Sequence, residues 1–332
     1  MSRQNLESEL LTRRAAISLG AAAIFTPNIS LAAEYPSSPI NMIIPLPAGT
    51  VLDLIGRFAS ARFQKDLGQP IVVENVAGAA GNLGVTRATR AKPDGQTILY
   101  SVSGPVSTNK FVMKNMPYDV DRDLAPVILV GTSPVAIVVH KSFSATTLPE
   151  FIAYAKAHPG EISYGSSGIG SPQHLCAEYL QALTDIKLSH VPYKGGAGPL
   201  QDILGGRVDV MFDSITVTKA QVEAGKLRAL GVTSLKPYKL LPGVPPVADT
   251  IPGYEVTSWT GLAAPKGTSP EVQKRLYAAL LKVLADPEVI AKLENTGGLV
   301  TPSSSGAQMK QFVSGQIAKW KKVLTTAGIT QQ

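Results

Sequence analysis

The sequence predicts an α/β protein in which two series of strands and helices follow each other along the chain. Short, nearly continuous apolar runs alternate with segments of helical spacing, a pattern typical of mostly parallel sheets covered by helices on both faces. The chain has 332 residues, 44% of them hydrophobic, which allows a sizeable core and favours two domains over one. The formal net charge of +7 is spread along the chain, so no binding of nucleic acid is expected.

Residues 1–33 have the composition of an export signal rather than of a folded segment. Arg13 and Arg14 precede an apolar run over residues 15–25, and small residues follow near Ala33. This order of basic, apolar and small residues is typical of a segment that directs export and is then removed. The arginine pair also resembles a twin-arginine signal, so that route and ordinary secretion both remain open.

The first series follows this signal and contains strands, helices and one long apolar segment. In order, these are the strand PINMIIP, the helix LDLIGRFASARFQKDL, the strand PIVVEN, the helix GAAGNLGVTRATRA, the strand GQTILYSV and the apolar segment PVILVGTSPVAIVVH. Gly68 is expected to end the first helix, because glycine readily adopts the left-handed conformation found there. Pro134 is expected to break the long apolar segment.

The second series repeats this alternation and begins with the helix TLPEFIAYAKAHPG. Its strands are EISYGS, LSHVPY, VDVMFDS and LRALGVTS, and its further helices are SPQHLCAEYLQAL, GPLQDILGG and VTKAQVEAG. In parallel α/β sheets, ligands bind beyond the carboxyl ends of the strands. The turns from strand to helix are therefore the expected binding positions.

Three of these turns, at residues 47–50, 165–172 and 193–199, place small residues just before the start of a helix. Ser171 and Pro172 suit the N-cap and the first position of the helix that they precede. Backbone N–H groups at a helix start have no partner within the helix, and the helix dipole adds partial positive charge. Together, the three turns predict a site for an anion.

The motifs of common enzyme classes are missing from the sequence. No G-x-S-x-G, Walker A, G-x-G-x-x-G or H-E-x-x-H pattern occurs, and neither a cofactor nor a metal ion is expected. Asp53 either caps the first helix or faces a ligand, and Asp213 ends a strand at the expected binding edge. We therefore expect no catalysis, with an exported hydrolase that uses Ser167 or Cys176 beside His174 as the alternative.

A set of stretches running almost from end to end carries a resemblance to a known family. They are YPSSPINMIIPLPAG, LGQPIVVEN, GAAGNLG, AKPDGQTIL, MPYDVDRDLAPV, YGSSGIGSPQHL, HVPYKGGAGPLQDILGGRVDVMFDS, GKLRALGVTS, LPGVPPVADT, GYEVTSWTGLAAPKGT and ADPEV. In this order, over about residues 35–330, they resemble the solute-binding receptors of the tripartite tricarboxylate transporter family, the Bug-type periplasmic receptors.

This resemblance implies a two-lobed periplasmic binding protein of type II-like fold, with a mostly parallel sheet in each lobe and a two-segment hinge. Lobe 1 is expected at residues 34–135 plus 238–332 and lobe 2 at 136–237, with crossings near Pro134 and Pro237. The resemblance also implies a monomer in the periplasm that delivers a small organic carboxylate to a membrane permease of the tripartite tricarboxylate type. A receptor that feeds a sensor kinase remains an alternative.

The expected ligand-binding residues lie in the turns of both series and at strand ends. They are Pro47, Ala48, Gly49, Thr50, Asp53, Gly78, Ala79, Asn82, Ser103, Ser166, Ser167, Gly168, Gly170, Ser171, His174, Tyr193, Lys194, Gly195 and Asp213. The first turn reads PAGTVLD, where family members often read PAGGGTD, so Val51 and Leu52 add apolar bulk. This difference favours a monocarboxylate with an apolar or aromatic body over a small, highly charged ligand such as citrate.

Overall fold

The described part of the chain in this computed structural model consists of residues 35–168, 171–193, 197–326, 328–329 and 331. The chain divides into the units Met1–Ser37 and Ser38–Gln332, and the described strands and helices all lie in the second unit. The predicted export signal lies outside the described residues. None of the described helices is both long and apolar enough to cross a membrane.

Strands of the described residues join into one mixed sheet. They are β1 (Ile40–Ile44), β2 (Ile71–Asn75), β3 (Thr97–Val102), β4 (Leu124–His140), β5 (Ser163–Ser166), β6 (Ser189–Pro192), β7 (Val210–Ser214), β8 (Leu227–Val232), β9 (Thr257–Pro265) and β10 (Leu299–Val300). The order across the sheet is β2-β1-β3-β9-β4-β7-β5-β6, and both β8 and β10 also pair with β4.

Helices connect most of these strands. They are α1 (Val51–Leu67), α2 (Asn82–Thr89), α3 (Asn109–Val112), α4 (Val120–Asp123), α5 (Leu148–Ala157), α6 (Pro172–Thr184), α7 (Ala197–Leu204), α8 (Ile215–Glu223), α9 (Pro270–Leu284), α10 (Pro287–Asn295) and α11 (Gly306–Thr326). Strands and helices alternate through most of both series, as the apolar periodicity indicated, and the predicted α/β class is confirmed.

The longest strand, β4, belongs to both series because it changes neighbours halfway along. Its residues 124–134 pair with β9, whereas Val135 to His140 pair with β7 on one side and β8 on the other. The expectation that Pro134 breaks this segment was wrong, since the strand runs on without interruption. The missing proline N–H is tolerated because Pro134 lies where one ladder of hydrogen bonds gives way to another.

The strands follow the expected parallel order only away from β4. β1 is parallel to β2 and β3, and β5 is parallel to β6 and β7. By contrast, β4 is antiparallel to β7, β8, β9 and β10, and β3 is antiparallel to β9. The expectation of mostly parallel sheets is therefore corrected to a mixed sheet. The reason is that β9 arrives late in the chain and inserts between β3 and β4 in the opposite direction.

These directions bring the carboxyl ends of both sets of parallel strands to the middle of β4. Val102 ends β3 opposite Thr260, and Thr260 lies opposite Gly131 of β4. Ser214 ends β7 opposite Val135 of β4. Four positions along a strand span about 13 Å, so the ends of β3 and β7 lie close together along the strand direction. Across the sheet, β1 and β5 are separated by β3, β9, β4 and β7.

Local sequence signals set the ends of the helices that follow these turns. Thr50 is the N-cap of α1 and accepts a hydrogen bond from the amide of Asp53 at 3.3 Å. Ser171 is the N-cap of α6 and accepts from the amide of His174 at 3.4 Å, as its position in the sequence predicted. Gly68 ends α1 in the left-handed conformation, with φ of 75°, which confirms the predicted stop.

Two of the apolar cores share the terminal helix α11. Met309 and Val313, in its first half, pack in a core with side chains of β1, β3 and β9. Trp320 and Val323, in its second half, pack in the core formed by α5, α6 and the second half of β4. Tyr254, which precedes β9, also belongs to this second core.

Candidate functional site

The first predicted turn, residues 47–50, is shaped by hydrogen bonds to its own backbone. The hydroxyl of Thr50 donates to the carbonyl oxygen of Pro47 at 3.0 Å. Gly49 has φ of 81° and donates its N–H to Oδ2 of Asp53 at 2.9 Å. Residues 47–49 are exposed and Thr50 is half-buried, so the turn presents backbone rather than large side chains to a ligand.

Asp53 is enclosed by hydrogen-bond donors of its own surroundings. It is 1% exposed, and besides Gly49 it accepts from Nδ2 of Asn75 at 2.8 Å and from Nε of Arg57 at 3.1 Å. Burial alone would raise the pKa of this carboxyl, but the hydrogen bonds from Gly49, Asn75 and Arg57 outweigh it and lower the pKa. The ionised side chain therefore braces the turn, and Thr50 rather than Asp53 is the N-cap.

The turn at residues 78–81 carries backbone strain next to the same strand ends. Gly78, Ala79, Ala80 and Gly81 have φ of 129°, 47°, 51° and 91°, and such values are costly for the two alanines because each has a Cβ atom. The side chain of Asn109 donates to the carbonyl oxygen of Ala80 at 3.1 Å, which helps to hold this conformation. A strained turn that is fixed by its surroundings is typical of a binding site.

Asn82 follows this turn but directs its side chain into the protein. Its Oδ1 atom accepts from Nδ2 of Asn109 at 2.7 Å and from the hydroxyl of Tyr118 at 2.8 Å. Its Nδ2 atom is 3.1 Å from the sulfur of Met113. The side chain therefore positions the turn from behind. Ser103, also predicted from the sequence, is the N-cap of a π-helical turn at Gly104–Thr108 and is half-buried.

In the second series, Ser166 organises the turn that precedes α6. Its side chain is fully buried, and its Oγ atom lies 2.7 Å from Nε2 of His190 and accepts the N–H of Gly168 at 3.1 Å. The carbonyl oxygen of Gly168 accepts the N–H of Ser171 at 3.1 Å. Tyr193 donates its N–H to the carbonyl oxygen of Ser166 at 2.9 Å, so the second and third predicted turns are joined.

A chain of polar side chains links this turn to the end of β7. The hydroxyl of Ser167 donates to Oε1 of Gln173 at 2.9 Å, and Nε2 of Gln173 lies 3.5 Å from Oδ1 of Asp213. Asp213 is 8% exposed and also accepts the N–H of Ser214 at 2.6 Å. Burial raises the pKa of this carboxyl. Sequence reasoning missed Gln173, although its place in the first turn of α6 is a usable signal.

Of the side chains proposed for a hydrolase, Ser167 is half-buried in the turn, whereas His174 and Cys176 are buried on α6. His174 is 5% exposed, and its ring stacks on that of His190 with centroids 4.2 Å apart. Burial lowers the pKa of His174 to about 4, which leaves the ring neutral. Cys176 is fully buried, and burial raises the pKa of its thiol. The hydroxyl of Tyr193 contacts Asp202, and burial together with this carboxylate raises the pKa of Tyr193 to about 12.

Three of the predicted binding residues, Gly170, Lys194 and Gly195, lie outside the described residues. Within the described residues, no group of three or more histidine, cysteine, aspartate or glutamate side chains could hold a metal ion. The other predicted positions fall into two sets, one after β1, β2 and β3 and one after β5, β6 and β7. The register of β4 brings these two sets of strand ends towards each other.

An α/β fold whose strand ends carry glycine- and serine-rich turns is typical of proteins that bind a small molecule at those ends. A family model described as "Tripartite tricarboxylate transporter family receptor" matches residues 55–329, and the chain belongs to this family. Members of the family are periplasmic, substrate-binding receptors. The resemblance stated from the sequence is confirmed.

Relatives with a name or a solved structure align with most of this chain. It is 32% identical over 299 residues to Protein BugT of Bordetella pertussis, covering 89% of this chain and 90% of that protein. The structure of R. palustris Rpa4515 with adipate is 33% identical, with a TM-score of 0.75, over 90% of this chain and 100% of that chain. MatC from Rhodopseudomonas palustris with bound malate is 30% identical, with a TM-score of 0.70, over 87% and 100%.

Proposed function

We propose that this protein is an exported receptor that binds a small organic carboxylate between the two sets of strand ends and delivers it to a membrane permease. Two solved relatives carry carboxylates, one adipate and one malate. The observation that carries the proposal is the convergence of both sets of carboxyl ends on the middle of β4, between Gly131 and Val135. The turns at these ends expose backbone rather than bulky side chains.

The chemistry of the turns fits an anion. Backbone N–H groups and the dipole at the starts of α1 and α6 favour a carboxylate. The N–H groups of Gly49, Gly168 and Ser171 are donated within the turns, so the ligand would use other amides there. Each charge-assisted hydrogen bond contributes about 1.5–3 kcal/mol. Two or three of them, with apolar burial and after the cost of ordering, would give an affinity in the micromolar range, about −8 kcal/mol.

We further propose that the ligand has an apolar stretch beside its carboxylate. Leu52, in the first turn of α1, lines a cavity of about 40 Å³ together with Gly131, Thr132 and Ser133 of β4 and Leu299 of β10. This cavity lies beside residues 131–133 of β4 and has room for a group of about three heavy atoms. A ligand covered with charged groups would leave this apolar wall unused.

Two lobes, meeting on β4, would allow the receptor to close on its ligand. We place the first crossing between Pro134 and Val135, where β4 changes neighbours. The boundary taken from the sequence assigns residues 238–256 to lobe 1, but Tyr254 packs in the core of the second series. We therefore place the return crossing at the start of β9. A ligand that touches turns of both lobes favours the closed state through these additional contacts.

The proposal is tested by mass spectrometry of the small molecule that copurifies with the protein, followed by titration of ligand-stripped protein. The panel contains adipate, malate, benzoate and citrate, each acid beside its amide. A melting shift with one or more acids and none with the amides is the expected result. If acids and amides perform equally, the proposed carboxylate site is wrong.

A further inference from the structure

His190 lies beside the turn that follows β5, a position that the sequence pattern did not predict. It is on β6, directly opposite Tyr164 of β5. Its Nε2 atom is 2.7 Å from Oγ of Ser166. The same Oγ atom accepts the N–H of Gly168 at 3.1 Å and donates to the carbonyl oxygen of Gly168 at 3.2 Å. One buried hydroxyl thus connects the imidazole to both backbone groups of a turn residue.

Counting protons at this hydroxyl favours one role for the imidazole. A serine hydroxyl has one proton to donate and can accept two hydrogen bonds. Its proton goes to the carbonyl oxygen of Gly168, which can only accept, and one acceptor position takes the N–H of Gly168. All contacts are satisfied when the Nε2 atom of His190 carries a proton and donates to the second position. Burial lowers the pKa of His190 to about 4, so this is the neutral Nε2–H form.

Stacked rings hold the imidazole in this orientation. The ring of His190 lies 4.2 Å from that of His174 and 4.7 Å from that of Tyr164, with interplanar angles of 14° and 11°. The hydroxyl of Tyr164 donates to Oε1 of Glu178 at 2.7 Å, and Nε2 of His174 lies 3.6 Å from the same oxygen. The ring of His190 is therefore fixed by neighbours on α6 and β5.

We propose that His190 is a positioning residue for the anion-binding turn, acting through the hydroxyl of Ser166 on the peptide groups of Gly168. The inference rests on the proposed function, because that function makes this turn a carboxylate site. Gly168 has φ of 129°, a conformation that side-chain-bearing residues rarely adopt. Its carbonyl oxygen also accepts the N–H of Ser171. The hydrogen bond from His190 therefore supports the contacts that Gly168 makes with Ser166 and with Ser171, the N-cap of α6.

Two substitutions separate the hydrogen bond from the stacking. His190→Phe keeps an aromatic ring between its neighbours but removes the donor, whereas His190→Gln keeps a side-chain N–H. The matched control is His158→Phe, because His158 also stacks on a ring, that of Tyr154, with centroids 4.1 Å apart at the end of α5. The readouts are amide hydrogen exchange at Gly168, measured without ligand, and the affinity for adipate.

In His190→Phe we expect exchange at Gly168 to become about tenfold faster and adipate binding about tenfold weaker, as for the loss of one hydrogen bond. His190→Gln should restore most of both quantities, and His158→Phe should change neither. A long-range ¹H–¹⁵N spectrum of the wild-type protein should place the imidazole proton on Nε2.

Unchanged exchange at Gly168 in a folded His190→Phe protein would overturn the inference, and so would a proton on Nδ1. If the Phe variant does not fold, the spectrum of the wild-type protein decides alone. Failure of the wild-type protein to bind any acid of the panel would weigh against the proposed function instead. The role of His190 would still be decided by hydrogen exchange at Gly168 and by the tautomer of His190, because neither measurement uses a ligand.

Discussion

The carboxylate of Asp53 accepts the backbone N–H of Gly49 at 2.9 Å, so the first turn of α1 folds back onto the loop that precedes it. The sequence left open whether Asp53 belongs to the helix end or to a ligand. With 1% exposure and further donors from Asn75 and Arg57, its side chain is occupied by the protein. Its contribution to binding is therefore the shape that it gives to the turn.

Neutralising this carboxylate should destabilise the protein. We expect Asp53→Asn to lower the free energy of unfolding by about 2 kcal/mol, because hydrogen bonds to a buried charge are lost. Urea denaturation at pH 7 measures the change. The control is Asp121→Asn, at an exposed position of α4, which should stay within about 0.5 kcal/mol of the wild type. Equal effects of the two substitutions would refute the bracing role.

The two N-caps Ser171 and Ser269 provide a matched test of the binding turn. Each accepts from the amide three residues on, at the start of α6 and α9 respectively. Ser171→Ala and Ser269→Ala should each cost about 1 kcal/mol of stability. Only Ser171→Ala should also weaken binding of whichever carboxylate shifts the melting temperature of the wild-type protein, since Ser269 lies away from the converging strand ends. Calorimetric titration of both variants checks this, and equal affinity in both would contradict the assignment of the turn.

Glycine at position 131 is required by a close approach between strands. A Cβ atom there would lie 2.2 Å from the carbonyl oxygen of Leu299 on β10, whereas one at Gly315 of α11 would meet nothing within 4 Å. Gly131→Ala should therefore lower the free energy of unfolding by about 2 kcal/mol or more. Gly315→Ala should raise it by about 0.5–1 kcal/mol. Thermal and urea unfolding of the pair would show opposite signs, and a shared sign would contradict this packing.

The stacked histidines should make the protein less stable in acid. Burial lowers the pKa values of His174 and His190 to about 4, so the unfolded chain binds more protons between about pH 6.5 and pH 4. Stability should fall as the pH decreases through this window, by about 3 kcal/mol for the buried His174. Glu178 and Tyr164 face the pair. Burial raises the pKa of Asp213, so the contribution of Asp213 to the free energy of unfolding increases as the pH falls.

Because the contribution of Asp213 has the opposite sign, the comparison should be made against a variant. Between pH 7 and pH 4.5, His174→Phe should lose less stability than the wild-type protein. Urea unfolding at several pH values measures both slopes. Parallel slopes would show that His174 is not buried as a neutral ring.

Local features of the fold were readable from the sequence because each depends on a few neighbouring residues. The stop at Gly68 and the N-cap at Ser171 follow from the conformations that glycine and serine favour at helix ends. Pro134 misled the same reasoning. Its missing N–H is harmful inside a ladder but harmless where β4 exchanges neighbours, and only the assembled sheet shows where that exchange occurs.

The residues of the candidate site could be predicted from the sequence only in part, for a similar reason. Glycine- and serine-rich turns are local signals, so residues 47–50 and 166–168 could be singled out. The partnership of His190 with Ser166 depends on the register of β5 and β6 and on a separation of 24 residues. The choice between a ligand contact and a brace at Asp53 depends on Asn75, which another strand supplies.

The terminal helix α11 is anchored at both ends, with Met309 in one core and Trp320 in the other. Twenty-one helical residues form a rod of about 31 Å, and such a rod resists stretching. If the receptor opens about β4 as proposed, the rotation must bend this rod or slide one of its anchors, so the helix would restrain the amplitude of opening. Deleting the last turns of α11 would remove this restraint along with the residues themselves. Purification tags and fluorophores are therefore better attached elsewhere.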